Sequence, residues 1–460
     1  MENTKIYSDK NPDMSLRDIN SKVFNMILPI TIENVLQMVA GIISMGMVGR
    51  IDVLAVSALS IGTRITQIIW ALFKGVTTGA TVYVAQYYGA GNRRRMLSTI
   101  QQTLLSSIVI VTILSVLIYF KASALLLVFD PNAKLLASAV IYLKIVVWGL
   151  PFLTIMLIVG GVLQGMGKAK TSMIITFIMN VINVIAGYIL IFGKLGLNPM
   201  GVAGAASATV ISQIAAAFIG LFILFNRHGI MASYLGKGFF NIDMGQVKNV
   251  YKVGLPSSME SIFWQLAAII LTRAILTYGE TPFAAHQLGM QAESISYMPA
   301  AGIGIAATAF IGQALGAEDK TLARTYLKQI VKLAAIITIF TSLILIVFPH
   351  PMMSLLTNNK EVVNLGAVYL TLMGMVQLPQ NISGVLSGAM RGAGYTKVPM
   401  IVAGAGLWGI RVPFTLIVAY LLKRTIVSIW VVMSIDLVFR FVISLILFKK
   451  NNIYESTLIS

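Results

Sequence analysis

Twelve apolar stretches recur along the chain, at 23–49, 52–88, 95–120, 134–166, 169–193, 199–226, 243–279, 281–316, 321–349, 360–392, 396–422 and 425–448. Each is long enough for a helix to cross a hydrocarbon core about 30 Å thick, which takes about 20 residues at roughly 1.5 Å rise per residue. The strands of an outer-membrane barrel would be about half that length and would alternate polar with apolar. Lipid offers a backbone no hydrogen bonds, so such runs must close theirs internally. The expected fold class is an all-α integral membrane protein with twelve transmembrane helices. The balance of residues agrees, since 57% are hydrophobic and 11% charged, where soluble domains carry about a quarter charged. Several stretches exceed the bilayer thickness and must tilt, bend or project, with Gly75, Gly79 and Pro151 as expected bend points.

The stretches form two sets of six. Leu28, Pro29 and Glu33 return 227 residues later as Leu255, Pro256 and Glu260. At the same offset Gly62, Gly75, Gln86 and Gly89 fall on Gly289, Gly302, Gln313 and Gly316, while Tyr142, Gly161, Gly165 and Lys170 fall on Tyr369, Gly388, Gly392 and Lys397. Apolar matches arise by chance in such a composition; glycine, glutamine, tyrosine and lysine matches in one register do not. Six spans is an even number, so both halves insert the same way up. The expectation is two six-helix bundles, residues 1–225 and 226–460, related by a pseudo-two-fold axis along the membrane normal. The polar stretch Asn226–Lys248 joins them.

Orientation follows from Lys and Arg in the connections. With a cytoplasmic N-terminus, that side carries twenty-one of these residues and the other side seven. The reading is a multi-pass protein of a cell membrane, of the bacterial inner-membrane kind, with both termini cytoplasmic. The net charge of +18 therefore reflects membrane topology and points to no nucleic-acid partner.

Ionisable residues inside spans are costly and are functional candidates by default. Glu33 lies ten residues into the first stretch, near the middle of the hydrocarbon, and Glu260 is its repeat partner. They are the first candidates for ion or proton coupling, because a carboxylate in a low-dielectric cavity carries a charge that must be neutralised. A permanent pairing with Arg64 or Arg273, or a hydrogen bond to a neighbouring helix, is the competing structural role. Glu293, with Gln287 and Gln291 before it, is a third candidate. The amides Gln37, Asn180, Asn183, Gln265, Gln377, Gln380 and Asn381 are expected to face the bundle interior, where they either bind a cation or substrate or bond between helices. Gly201–Ser212 presents small residues for close packing. The basic runs 93–95 and 391–397 read as anchors on anionic headgroups.

Other chemistry is not indicated. His228, His286 and His350 lack metal-ligand spacing, and no phosphate loop of the GxxxxGK[ST] kind occurs. Cysteine is absent, which removes thiol catalysis and thiolate sites. No cofactor and no enzymatic activity are expected. With no nucleotide domain, an ion gradient is the economical energy source for a duplicated twelve-span chain, which describes a secondary transporter.

The stretches AAHQL at 284–288, MPAAGIGIAATAFIGQALGAED at 298–319, VLQGMGKAK at 162–170, GVAGAASAT at 201–209 and WGIRVPF at 408–414 resemble the multidrug and toxic compound extrusion (MATE) family across nearly the whole chain. The resemblance implies export of organic cations or other xenobiotics by alternating access in exchange for Na⁺ or H⁺. It implies lipid, a cationic amphiphilic small molecule and the coupling ion as partners, and a monomer. This chain departs from the family's acids. Ser44 stands where relatives carry an acid in the first helix, Gly187 follows Asn183 where an Asp is usual, Trp264 occupies the commoner acid position of the seventh helix, and the tenth helix lacks its Asp. The rival reading is a flippase of a lipid-linked saccharide or another bulky amphiphile, for which Arg64, Lys74, Lys144, Arg273, Arg411 and Arg440 would supply a cationic cavity.

Overall fold

The computed structural model describes residues 16–227, 229–232, 234 and 239–459. His228 and Lys237, with parts of the connecting stretch Asn226–Lys248, lie outside the described residues. Among those described, twelve helices are long and apolar enough to cross a membrane. They are α1 (Leu16–Gly49), α2 (Leu54–Gly89), α3 (Arg93–Leu127), α4 (Ala133–Gly165), α5 (Ala169–Phe192), α6 (Gly201–Phe225), α7 (Met244–Leu276), α8 (Glu280–Gly316), α9 (Lys320–Val347), α10 (Lys360–Gly392), α11 (Lys397–Leu421) and α12 (Ile426–Lys450). No strand occurs among the described residues. The all-helical twelve-span fold expected from the apolar stretches is the one observed.

Local chemistry starts several of these helices, and it repeats between the halves. Asn92 opens α3 and Asp319 opens α9, each side-chain oxygen accepting from the backbone N–H three residues on (Arg95 and Leu322) at 3.1 and 2.8 Å. Asn132 and Asn359 open α4 and α10 in the same way. Such caps stabilise a helix start by about 1 kcal/mol each. Gly193 closes α5 in the left-handed conformation, at φ 65°. Lipid-facing stripes follow the helical period: Val109, Ile113, Leu117 and Phe120 on α3 are exposed, as are Ile336, Phe340, Leu343 and Val347 on α9.

The described residues divide into two compact units. One takes the residues up to Thr31, Ala85–Gly91 and Met259 onward; the other takes Ile32–Val84 and Asn92–Ser258. Helices α1 and α7 therefore each begin in one unit and continue in the other. The change comes two residues after Pro29 and two after Pro256, where a proline removes a backbone hydrogen bond and weakens the helix.

Glycine contacts carry the repeat into three dimensions. In the second unit a Cβ on Gly62 would overlap the ring of Tyr142, and in the first a Cβ on Gly289 would overlap the ring of Tyr369. Gly161 lies on Thr77 and Gly165 on Thr81, while Gly388 lies on Gly304 and Gly392 on Thr308. Each of these contacts maps onto its counterpart at the 227-residue offset. Glycine lets helix backbones approach where no side chain fits. Gly75 and Gly79 belong to this class and not to the expected bends: α2 runs unbroken through both, and a Cβ there would strike the backbone of Ser258 and of Val250. Pro151 does mark a change of geometry, since a 3₁₀ turn at Val147–Gly149 precedes its helical segment.

In the first unit, Gly316 lies against the carbonyl of Gln86 and Gly89 against the carbonyl of Gln313. Replacing Gly316 by Ala puts a methyl into backbone that cannot step aside, so a loss of about 1–3 kcal/mol is expected. Gly41 has open space around it, and Gly41→Ala should be neutral or gain up to about 1 kcal/mol from helix propensity. Thermal unfolding of the two variants in detergent tests this; equal melting temperatures would refute the packing role.

The same unit seats the segment after α12. Gln86 donates from Nε2 to the Gly392 carbonyl at 2.9 Å and accepts at Oε1 from the Leu458 backbone N–H at 2.9 Å. Ser456 donates to the Ala393 carbonyl. The Arg324 guanidinium stands 5.1 Å from the centre of the Tyr454 ring. Burial pushes the Tyr454 phenol up while Arg324 pulls it the other way, so the contact joins a cation to a neutral ring.

Candidate functional site

Three carboxylates inside spans were singled out from the sequence, and the structure gives each different partners. Glu33 on α1 is buried. Gln164 on α4 donates to it from Nε2 at 3.3 Å, and Ser172 and Thr176, one turn apart on α5, donate from their hydroxyls at 3.3 and 3.0 Å. The Lys74 ammonium acts on it electrostatically but forms no salt bridge with it among the described residues. The pairing with Arg64 weighed from the sequence is not made; Arg64 is exposed. Glu33 is thus a buried carboxylate held by neutral donors, without a guanidinium or ammonium in contact.

Its repeat partner is held differently. Glu260 on α7 accepts from Arg391 Nη2 at both oxygens, 2.7 Å each. Arg273, the partner expected from the sequence, is exposed. The reading of Arg391 as a headgroup anchor is corrected as well, because its guanidinium is spent on Glu260. The two acid pairs are equivalent: adding 227 to Glu33 and Gln164 gives Glu260 and Arg391. One half clasps its acid with an amide and the other with a cation. Ser172 and Thr176 map onto Pro399 and Ala403, so the second half has also lost the hydroxyls.

Glu293 on α8 is buried among aromatic rings. Tyr369 donates to Oε2 at 2.6 Å and Gln377 donates to Oε1 at 2.7 Å, both from α10. His286 and Trp430 stand edge-on to the Tyr369 ring, with centroids 5.4 and 5.3 Å away. Three buried polar atoms around this cluster, His286 Nδ1, Gln377 Oε1 and Trp430 Nε1, have no protein partner. Ordered water would satisfy such atoms.

The amides divide between two roles. Asn183 accepts from Ser44 Oγ at 2.9 Å and lies within 3.4 and 3.5 Å of the Ser212 and Thr209 hydroxyls. Ser44, at the first-helix position where the resemblance implied an acid, is thus a hydroxyl bonded to the Asn183 amide. Asn381 donates to Thr338 at 3.1 Å and reaches Ser296 at 3.4 Å, which ties α8, α9 and α10 together. Gln380 accepts from Gln377 at 3.5 Å. Gln37 is exposed, Gln265 is half-buried, and neither joins the Glu33 or Glu293 cluster.

Arg411 and Arg440, named from the sequence as possible cavity cations, meet an acid that sequence reasoning missed. Asp436 on α12 is fully buried and accepts from Arg411 Nε at 2.7 Å and from Arg440 Nη2 at 2.8 Å. The signal was available, since Asp436 is the one acid of its span and met the criterion that singled out Glu33. The partners Gln164, Ser172, Thr176 and Tyr369 were missed because hydroxyls and amides are common inside membrane helices. The repeat register would have found Gln164 from Arg391. No group of His, Cys, Asp and Glu able to hold a metal ion occurs among the described residues.

Known proteins agree with this architecture. The MatE family model matches residues 29–189 and again residues 256–417, with starting points separated by the repeat offset. A probable multidrug resistance protein NorM from Thermotoga maritima is 28% identical over 439 residues, 95% of this chain and 94% of the relative. A probable multidrug resistance protein YoeA from Bacillus subtilis is 27% identical and covers 88% of each chain. Among solved structures, a MATE protein in complex with MaL6 superposes with a TM-score of 0.87 at 18% identity, over 94% of this chain and 96% of that one. The MATE transporter VcmN of Vibrio cholerae gives 0.86 at 17% identity, over 96% and 100%. With both halves matched by the family model and the fold shared end to end, the chain belongs to the MatE family, the multidrug and toxic compound extrusion (MATE) transporters.

Proposed function

We propose that the chain is a multidrug efflux transporter that exports organic cations and other xenobiotics by alternating access in exchange for Na⁺ or H⁺, with Glu33 as the acid whose charge the coupling ion neutralises. The observation that carries this assignment is the contrast between repeat partners. Glu260 has its countercharge built in through Arg391, whereas Glu33 has only neutral donors in contact. A buried carboxylate without a contacting cation recruits one from outside, and a proton or Na⁺ that binds one arrangement of the protein better than the other shifts the balance between them. Glu293 is the second such acid, with neutral donors from Tyr369 and Gln377. Glu260 is reassigned as a structural or cavity-shaping partner of Arg391. The halves 1–225 and 226–460 are proposed to act as the two lobes of the transport cycle.

The test is efflux of the cation ethidium from proteoliposomes under separately imposed Na⁺ and H⁺ gradients. One gradient should drive it and the other should not; export insensitive to both would refute secondary transport. The Lys and Arg bias supports a second expectation, that both termini are cytoplasmic. A reporter fused after residue 460 should then be protected from outside reagents, while tags beside Lys194 and Lys360 should be labelled. Opposite sides for the two termini would overturn the even count of spans.

A further inference from the structure

The Arg411, Asp436 and Arg440 cluster is not used by the coupling scheme, and its Arg440 lines a cavity of about 180 Å³ in the first unit. Its charges do not balance. Arg411 and Arg440 bind the same oxygen of Asp436, Oδ2, while Asp436 Oδ1 and Arg440 Nε are buried without a partner. Both guanidiniums face the Trp264 ring, at 5.3 and 4.7 Å from its centre, which favours cations but adds no countercharge. Glu260 and Arg391 also line the cavity and cancel each other. Three guanidiniums therefore meet two carboxylates. Glu293 acts on Arg411 through space, but its oxygens are held by Tyr369 and Gln377 and it forms no salt bridge among the described residues.

The backbone is adapted to this cluster. α11 takes a π-helical turn at Leu407–Arg411, ending on Arg411, a distortion often found at functional sites. At Gly406, immediately before it, a Cβ would overlap Asp436 Oδ1 and the stem of Arg440. Arg440 is nine-tenths buried and lines the cavity, together with Gln380, Ser383 and Ser387. Val402 and Leu437 add apolar lining. A nearly buried guanidinium lining the cavity, unbalanced charge, hydroxyls and apolar lining suit an oxyanion attached to a hydrocarbon tail. The cavity is smaller than the roughly 300–1,000 Å³ of sites that enclose a drug-sized ligand, so it accommodates the headgroup.

We infer that this cavity binds the carboxylate or phosphate headgroup of an amphiphilic organic anion, received by Arg440. The site is separate from Glu33, and its binding is read without any gradient, so failure of the coupling assignment would leave it standing.

The test uses the purified full-length chain in phosphatidylcholine nanodiscs, titrated with octanoate and with octyl phosphate by calorimetry, and with octyltrimethylammonium for comparison. Both anions should saturate and compete with each other, and the cation should not displace them. Arg440→Gln should weaken anion binding at least tenfold; it leaves Asp436 and Arg411 as a one-to-one pair and is expected to fold. Ser387→Val, which narrows the cavity without touching charge, should weaken octyl phosphate binding as well and serves if Arg440→Gln does not fold. Replacing phosphatidylcholine by phosphatidylglycerol separates the sources: loss of octanoate binding assigns the site to a lipid headgroup, and unchanged binding assigns it to a soluble anion. Displacement of octanoate by octyltrimethylammonium, or full-strength anion binding in both Arg440→Gln and Ser387→Val, would overturn the inference.

Discussion

Gradient-driven ethidium efflux should fall at least tenfold in Glu33→Gln, with expression and insertion unchanged. The substitution keeps the shape of the side chain, so Gln164, Ser172 and Thr176 retain a partner while the charge that the coupling ion neutralises is gone. A tenfold loss corresponds to about 1.4 kcal/mol of differential binding between the two arrangements. The repeat supplies a sharper variant. Gln164→Arg reproduces the Glu260–Arg391 pair in the first half and gives Glu33 a permanent countercharge without removing it. It should abolish coupling as Glu33→Gln does, although the carboxylate remains. Glu293→Gln should reduce efflux too, and Glu260→Gln less than either. Near wild-type efflux in both Glu33→Gln and Gln164→Arg, with unchanged ion dependence, would reject Glu33 as the coupling acid.

The largest effect on folding is expected from Asp436→Asn. Asp436 is the only carboxylate in salt-bridge contact with Arg411 and Arg440 among the described residues, and all three side chains are buried. Removing one partner of a buried ion pair typically costs about 3–5 kcal/mol, because the remaining charge is left in a medium that cannot solvate it. Here two guanidiniums lose their acceptor at once. Little folded protein should be recovered by size-exclusion chromatography of detergent extracts. The triple variant Asp436→Asn, Arg411→Gln, Arg440→Gln removes every charge of the cluster and should recover most of the yield. A triple variant no better than Asp436→Asn alone would show that shape, not charge balance, makes Asp436 necessary.

The two variants differ in what they disturb. At Glu33 the surrounding donors are neutral and accept a neutral amide, so the protein folds and the effect falls on transport. At Asp436 the surrounding donors are charged, so the effect falls on stability first.

The chain's architecture was legible one helix at a time. A bilayer demands about 20 apolar residues in succession and a backbone bonded within itself, and both demands act on neighbours in sequence. That is why the twelve spans and the 227-residue repeat could be located from residue order alone. Glu33 and Glu293 could be singled out for the same reason, since a charge in hydrocarbon is conspicuous whatever surrounds it. Partners were a different matter. Gln164 is 131 residues from Glu33, and Arg391 is 131 residues from Glu260. An ion pair depends on contact within about 4 Å, which chain order does not specify at such separations. Helix packing chose Arg391 over Arg273, turned Gly75 and Gly79 from expected bends into contact surfaces, and gathered Arg411, Asp436 and Arg440 onto one oxygen. The sequence by itself determined which residues must avoid lipid; only the tertiary structure decided which of them already carry a countercharge and which must recruit one, because electrostatic energy depends on distance in space.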